Sequence, residues 1–530
     1  MQGIRRVAVL ATALAALLIP GSAAADWESP QDISGHGSEH SNVDVAVAAD
    51  GSATAVWLRE FRVSTLNERS AVQARHFAPD GTPGPIRTLS GPVDGGDTDE
   101  FSPAVAIDDM GRSVVVWERG NEILFVRLEQ DGLPSGDGIQ TLSQTGEVSS
   151  PEVAVSPTGD AVATWQRFDD DTNDSHAIEA VQIPEGTSFP GAPIEVVSFT
   201  DVDSDAGDFF QLSEGPRIAT APNGDSVITW LKFECQCSSS VSSYTFQARR
   251  LESDGSLGTL HDLSPQGPAN NTAAPDVAID DAGNATVSYT NPESPPDPQA
   301  RVRRVLANDS LGPERVLTDE ATTSISTFDL DVDVAPTGEA TVAWVDCTAP
   351  CFDDVGEYAR LAADGTVSIP ATQFTADDPD GLALGVDDSN NAYIFWNTSD
   401  VSGTIGHARR VTSAGTAEAV QDFPESETTD WHELTADAGG AVALGAWVIE
   451  DPETADFEDP FVQGVFNRPP ASPPPPPPPP TGGGNNPSAN QPDDTAEKQQ
   501  RCATLHRKAR NADKKYRRKA LKRKLRRLGC

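Results

Sequence analysis

Apolar positions along this chain fall into a phrase that recurs eight times: a short apolar run, a polar turn, a second apolar run and a closing aromatic. Clear copies are VDVAVAADGSATAVW at 43–57, PAVAIDDMGRSVVVW at 103–117, PEVAVSPTGDAVATW at 151–165, PRIATAPNGDSVITW at 216–230 and PDVAIDDAGNATVSY at 275–289. The closing aromatics are Trp57, Trp117, Trp165, Trp230, Tyr289, Trp344, Trp396 and Trp447, spaced 48 to 65 residues apart. Two apolar runs around a turn of Asp, Pro, Asn and Gly read as a β-hairpin. Six residues before the aromatic stands Gly51, Gly111, Gly159, Gly224, Gly283 or Gly338, and in the seventh copy Asn390. Asn is the next-best residue at positive φ, so the turn chemistry survives that replacement. The eighth copy, with Gly439 and Gly440, fits the pattern if one residue is inserted.

A second hairpin follows the first, as in 72–90, 246–264 and 358–375, each with a DG-type turn and a closing Ser or Thr. Four strands per unit at this period predict the blade of a β-propeller. The last unit holds three strands and then runs into proline after 462–466. The segment PQDIS at 30–34 matches the fourth-strand endings RTLS (87–90) and HDLS (261–264), so the N-terminal strand is expected to close the last blade and leave no free edge. The expected fold is all-β: an eight-bladed propeller of four-stranded antiparallel blades. Its inner strand, A, is apolar at consecutive positions, as a strand covered on both faces must be. Ala46, Ala106, Ala154, Ala219 and Ala278 imply close approach near the centre. Pro103, Pro151, Pro216 and Pro275 are expected just before strand A, where a missing N–H costs little.

Over residues 27–468 the phrase resembles the VAVDxxGxxxV repeat of NHL-type and related secreted bacterial propeller proteins. The resemblance implies the propeller and carries over no site residue. A Trp closes the phrase where NHL repeats usually carry Asp, and no intact sialidase box of the form S-x-D-x-G-x-T-W is present.

Composition divides the chain further. Residues 1–25 read as a signal peptide: Arg5 and Arg6, an apolar run at 7–19 too short to span a bilayer, and Ala23, Ala24 and Ala25 at the cleavage site. The propeller follows at 26–468, with net charge −56 and a single lysine, Lys232. A field of that sign repels nucleic acid and anionic membrane and attracts cations. Residues 469–492 are a Pro/Gly-rich linker, and 493–530 carry +11. Leu505, Ala509, Ala512, Tyr516, Leu521, Leu525 and Leu528 give that tail a basic amphipathic helical pattern. It suits an anionic surface (lipid, wall polymer or an acidic body), and a solvated disordered tail fits the composition too. Six cysteines in an exported chain suggest disulfides. Cys347 and Cys351 suit a small loop staple, whereas Cys235 and Cys237 pair only in a strained ring. Cys502 and Cys530 lie about 42 Å apart on one straight helix and cannot pair within it.

Candidate chemistry is sparse. Thirteen residues before the aromatic stand Asp44, Glu152, Asp276 and Asp331, joined by Glu433 if the eighth copy carries its insertion; Arg217 holds the position in the fourth. A carboxylate ring at the channel mouth would hold calcium or a cationic ligand, though acids there also simply solvate the strand starts. Asp201, Asp203, Asp205 and Asp208, with Gly207, resemble a D-x-D-x-D-x-G calcium loop in which Gly comes one place late. His36, Glu39 and His40 match a zinc-peptidase H-x-x-E-H spacing, which works only on a helix. Recurrent arginines on the third strand (Arg127, Arg250, Arg304, Arg360 and Arg410) read as blade-to-blade ion pairs. The long, variable B–C and D–A connections are expected on one face, which becomes the ligand face. The expected function is an envelope-associated binding or adhesion scaffold with a glycan, polymer or protein ligand. The alternative is an extracellular hydrolase or lyase using channel-mouth carboxylates.

Overall fold

The computed structural model describes residues 26–468 apart from 36–38, 65–66, 91–99, 137, 145, 170–174, 188–189, 201–207, 237–240, 269–273, 291–298, 319–323, 349–353, 377, 401–402, 424–430 and 450–460. The chain divides into two units, Met1–Pro470 and Ala471–Cys530, and the described residues belong to the first. The signal-peptide, linker and tail readings therefore lie outside them. Among the described residues no helix is long and apolar enough to cross a membrane.

Eight separate antiparallel sheets follow one another along the chain, each ordered A to D. Their A strands are Glu39–Val47, Glu100–Ile107, Glu147–Val155, Asp208–Thr220, Asp276–Ile279, Ser324–Val334, Pro379–Val386 and Trp431–Gly439, in blades 1 to 8. Blade 8 takes its fourth strand from the N-terminal end: Asp26–Trp27 and Gln31–Asp32 both pair with Phe461–Arg468. Ile33 N donates to Val462 O (2.8 Å), and Val462 N donates to Ser34 Oγ (2.8 Å). The eight-bladed, four-stranded propeller expected from the repeat is the fold observed.

The repeated residues explain the repeated geometry. In the A–B turns, Gly51, Gly111, Gly159, Gly224, Gly283 and Gly338 all have positive φ, and Asn390 keeps the turn with φ 60°. Each donates its N–H to the carbonyl three residues back, as Gly51 does to Ala48. The closing aromatics are all buried between blades. Trp57 and Trp230 donate their indole N–H to Gln73 and Gln247 on the next strand.

Three expectations need correction. Strand A begins earlier than its apolar core, so Pro103, Pro151 and Pro216 lie within it rather than before it. They are tolerated because a β-bulge interrupts the ladder there, between Phe101 and Ala104, Ser149 and Glu152, and Ser213 and Arg217, and the extra residues need no ladder hydrogen bond. The eighth hairpin is one residue shorter than the others, not longer: Gly439 pairs with Val442 across a tight turn at Gly440. Among the described residues the third-strand arginines form no ion pairs between blades. Arg127 donates to Gly159 O and Ile183 O, Arg250 to Gly283 O and Leu306 O, and Arg304 to Gly338 O and Ala363 O, all on the following blade.

Candidate functional site

Strand A is the inner edge of every blade and packs against its neighbours' A strands around the axis. Pairing with strand B fixes which residues share a level. Asp44 lies opposite Val56, Glu152 opposite Thr164, Arg217 opposite Thr229, Asp276 opposite Ser288 and Asp331 opposite Ala343. All five therefore face the residue that directly precedes the closing aromatic, and share one level of the ring. In blade 8 the residue at that level is Thr435, opposite Ala446. Glu433 falls at the bulge between His432 and Leu434, because the shorter hairpin shifts the register.

Two residues deeper lies a second level, of which the repeat revealed the alanines but not the residues of blades 6 to 8. Five blades carry Ala there, but blade 6 has Asp333, blade 7 Gly385 and blade 8 Asp437. The available signal was the alternation D-V-D-V at 331–334. At Gly385 a Cβ would come within 2.8 Å of Ala438 N, so only glycine fits against strand A of blade 8.

An inner-edge strand presents N–H groups with no ladder partner, and the carboxylates take them. Asp44 accepts from Val45 N (2.9 Å) and from Val105 N of blade 2 (2.8 Å). Asp276 accepts from Val332 N (3.0 Å), and Asp331 from Leu384 N (2.9 Å). At the deeper level Asp333 bridges Val334 N and Val386 N, and Asp437 bridges Ala438 N and Val47 N. In every case the bond leads to the next blade round the ring. Glu152 is instead paired with Arg217.

Crowding these acids in a narrow channel moves their protonation. Loss of water pushes Asp44 up to about 7, helped by the charge of Glu152 and opposed by its two N–H donors. Asp437 rises to about 6 for the same first reason. Burial also raises Asp331 and Asp333 well above the ordinary range, Asp331 further by the charge of Asp276 and a hydrogen bond between the two carboxyl groups. Glu152 is raised by burial despite Arg217. Arg217 is held more firmly protonated, chiefly by Glu152, with Asp276, Asp44 and Asp331 adding to it. At the opposite end, on the A–B turns, Asp109 and Asp388 are raised by burial and by the charge of neighbouring acids, Asp281 among them. On the loop face, burial brings Glu118 to about 7 and Asp329 to about 6.

Other candidates are only partly placed. Asp208 opens strand A of blade 4 opposite Gln236, while Asp201, Asp203 and Asp205 lie outside the described residues, as do Cys237 and Cys351. Cys235 and Cys347 sit on B strands. Glu39 and His40 open a β-strand, so the H-x-x-E-H spacing has no helix to act from. Among the described residues no group of three or more His, Cys, Asp or Glu is arranged to hold a metal ion. Most of the B–C and D–A connections lie outside the described residues.

No protein-family model and no curated protein sequence matches the chain. Solved structures do. A protein of unknown function from Dyadobacter fermentans is 10% identical with TM-score 0.38, over 85% of this chain and 100% of its own. An ulvan lyase, from a polysaccharide lyase family, is 8% identical with TM-score 0.42, over 83% and 94%. A Penicillium chrysogenum alpha-L-arabinanase, solved with arabinobiose, is 11% identical with TM-score 0.38, over 66% and 98%. None of the three lends a residue role to this chain.

Proposed function

We propose that the mature chain is a secreted, envelope-associated binding or adhesion scaffold. Its ligand face is built from the B–C and D–A loops around the channel mouth, and the basic segment 493–530 tethers it. The observation that carries this reading is the engagement of the channel acids. Asp44, Asp276, Asp331, Asp333 and Asp437 each accept a main-chain N–H from the neighbouring blade. Carboxylates held this way fasten the ring and are poorly placed to turn toward a substrate. Variable loops on so rigid a scaffold are where recognition usually resides. Thermal unfolding with calcium, with EDTA and with a panel of envelope glycans and polymers tests the loop face: a ligand that raises the midpoint supports it, and an unmoved midpoint across the panel removes it. Cell fractionation with and without 493–530 tests the tether, which fails if envelope association persists after deletion.

One observation favours an extracellular glycan- or polymer-cleaving enzyme as a second reading. Asp331 shares a hydrogen bond with Asp276 and is raised well above the ordinary carboxylate range. A carboxyl whose hold on its proton is raised in this way suits the role of a general acid. Release of reducing or unsaturated ends from a polysaccharide panel, abolished by Asp331→Asn, would establish this reading. An inactive parent chain would dismiss it.

A further inference from the structure

We propose that the cleft between blades 6 and 7, on the face of the A–B and C–D turns, is a subsite for one neutral sugar unit. A cavity of about 250 Å³ opens there, lined by Glu339, Arg360, Ser368, Ile369, Asn390 and Ser413 among others. It lies away from the channel acids and on the turn side, so it does not depend on the loop-face reading above.

A break in the repeat creates this cavity. Arg127, Arg250 and Arg304 each hold two carbonyls of the following blade, and one of the two belongs to the A–B turn glycine: Gly159, Gly283 or Gly338. Arg360 is the next arginine in the series and is only 2% exposed. It holds Val411 O through Nη2 (3.0 Å) but, unlike the other three, no carbonyl of the facing A–B turn; among the described residues its Nη1 and Nε have no partner, as is also true of Arg250. The turn residue facing it is Asn390 rather than glycine, and the buried Oδ1 of Asn390 has no partner either. One cavity wall thus carries an unused donor and an unused acceptor. Buried unpaired polar atoms that line a cavity call for a water, an ion or a ligand.

The wall chemistry selects among these. Guanidinium only donates, the Asn390 oxygen and the Glu339 carboxylate only accept, and the Ser413 hydroxyl does both. A free anion would satisfy Arg360 and meet Glu339, and a cation would meet Arg360. A ring bearing adjacent hydroxyls accepts from Arg360 while donating to Asn390 and Glu339, and Ile369 gives its C–H face an apolar wall. The volume falls just below the ~300–1,000 Å³ of pockets for drug-sized ligands, which suits one ring rather than a chain.

The test uses the full mature chain and saturation-transfer NMR with the methyl glycosides of glucose, galactose and N-acetylglucosamine, and with glucuronate and inorganic phosphate as anionic probes. Asn390→Gly restores the residue of the other turns, frees the turn from a side chain and lets Arg360 take a carbonyl. Ser413→Leu fills the cavity from an exposed turn. The expected result is saturable binding of a neutral glycoside, weakened about tenfold or more in Asn390→Gly, where the unfolding midpoint is kept, and again in Ser413→Leu. Three results overturn the proposal. They are no saturable binding of any neutral glycoside, which leaves an ordered water as the occupant; unchanged binding in Asn390→Gly; and binding confined to glucuronate or phosphate that is lost in salt. None of these bears on the loop face, whose ligands are tested in the parent chain.

Discussion

Arg75 Nη1 donates to the carbonyl oxygens of both Asp32 (3.0 Å) and Ile33 (2.9 Å), joining blade 1 to the strand contributed by the N-terminal segment. Three other arginines occupy the same place on the third strand. Arg249 reaches Val196 O (2.6 Å), Arg303 reaches Leu263 O (3.2 Å), and Arg409 reaches Phe374 O (2.6 Å), each on the fourth strand of the preceding blade or just past it. All four also donate Nε within their own blade, to Gly84, Gly258, Gly312 and Glu418. Blade 1 is therefore fastened to the closing strand of blade 8 by the contact used between the other blades.

That equivalence sets the first prediction. Arg75→Ala removes charge-assisted bonds to two carbonyls across the boundary between blades 8 and 1 and is expected to cost about 1–3 kcal/mol. Arg303→Ala should cost a similar amount, because it breaks the same contact inside the ring. Urea unfolding of both variants measures this, read at constant slope. An Arg75→Ala midpoint equal to that of the parent would mean that packing of the inner strands holds blade 1 against blade 8 without this contact.

The hairpins, the blade count and the seam were all legible in the sequence because their signals are local: a turn glycine, a closing aromatic and a shared strand ending. The channel was legible in its first level and in the alanines of its second, but not in Asp333, Gly385 and Asp437. Its second level depends on register, and register depends on bulges at Asn42, Ser102, Ser150 and Asp329, whose φ values of 47–53° no motif announces. Glu433 was misplaced for a related reason. Counting back from Trp447 assumed a longer turn, whereas a tight turn at Gly440 removes a residue and brings Thr435 to the ring. The third-strand arginines looked like ion-pair partners because carbonyl acceptors leave no trace in a sequence.

The channel acids make stability depend on pH in a definite direction. Asp44 stands at about 7 and Asp437 at about 6 when folded, against an ordinary 3.8. An acid whose pKa is raised by folding holds its proton more tightly in the folded state. Stability therefore falls as pH rises from about 4 to about 7 and levels off above that. Turn acids such as Asp80 and Asp364 act the other way, since bonds from Thr82 and Thr366 lower them and their contribution is lost in stronger acid. Melting curves should show a maximum at pH ~4 and a lower midpoint at pH 8. Asp44→Asn and Asp437→Asn should each flatten the descent between those values. A midpoint that climbs steadily from pH 5 to 8 would contradict the assignment.

Gly385 tests how tightly the inner strands meet. Its equivalents in five blades are alanines, so an alanine would pass as conservative by sequence alone. In blade 7 the added Cβ would lie 2.8 Å from Ala438 N and 2.8 Å from the carbonyl carbon of Asp437. Both are backbone atoms of the neighbouring inner strand, which Asp437 ties to Val47 N of blade 1 (2.7 Å) and to Ala438 N. The strand cannot yield without straining those bonds, and overpacking of this kind typically costs about 1–3 kcal/mol. Gly385→Ala is therefore expected to lower the unfolding midpoint, while Ala106→Gly, at the same level in blade 2, should cost only the backbone entropy of about 0.5–1 kcal/mol. Thermal or urea unfolding of the pair decides the matter. If Gly385→Ala proves as mild as Ala106→Gly, blades 7 and 8 do not approach so closely at the axis.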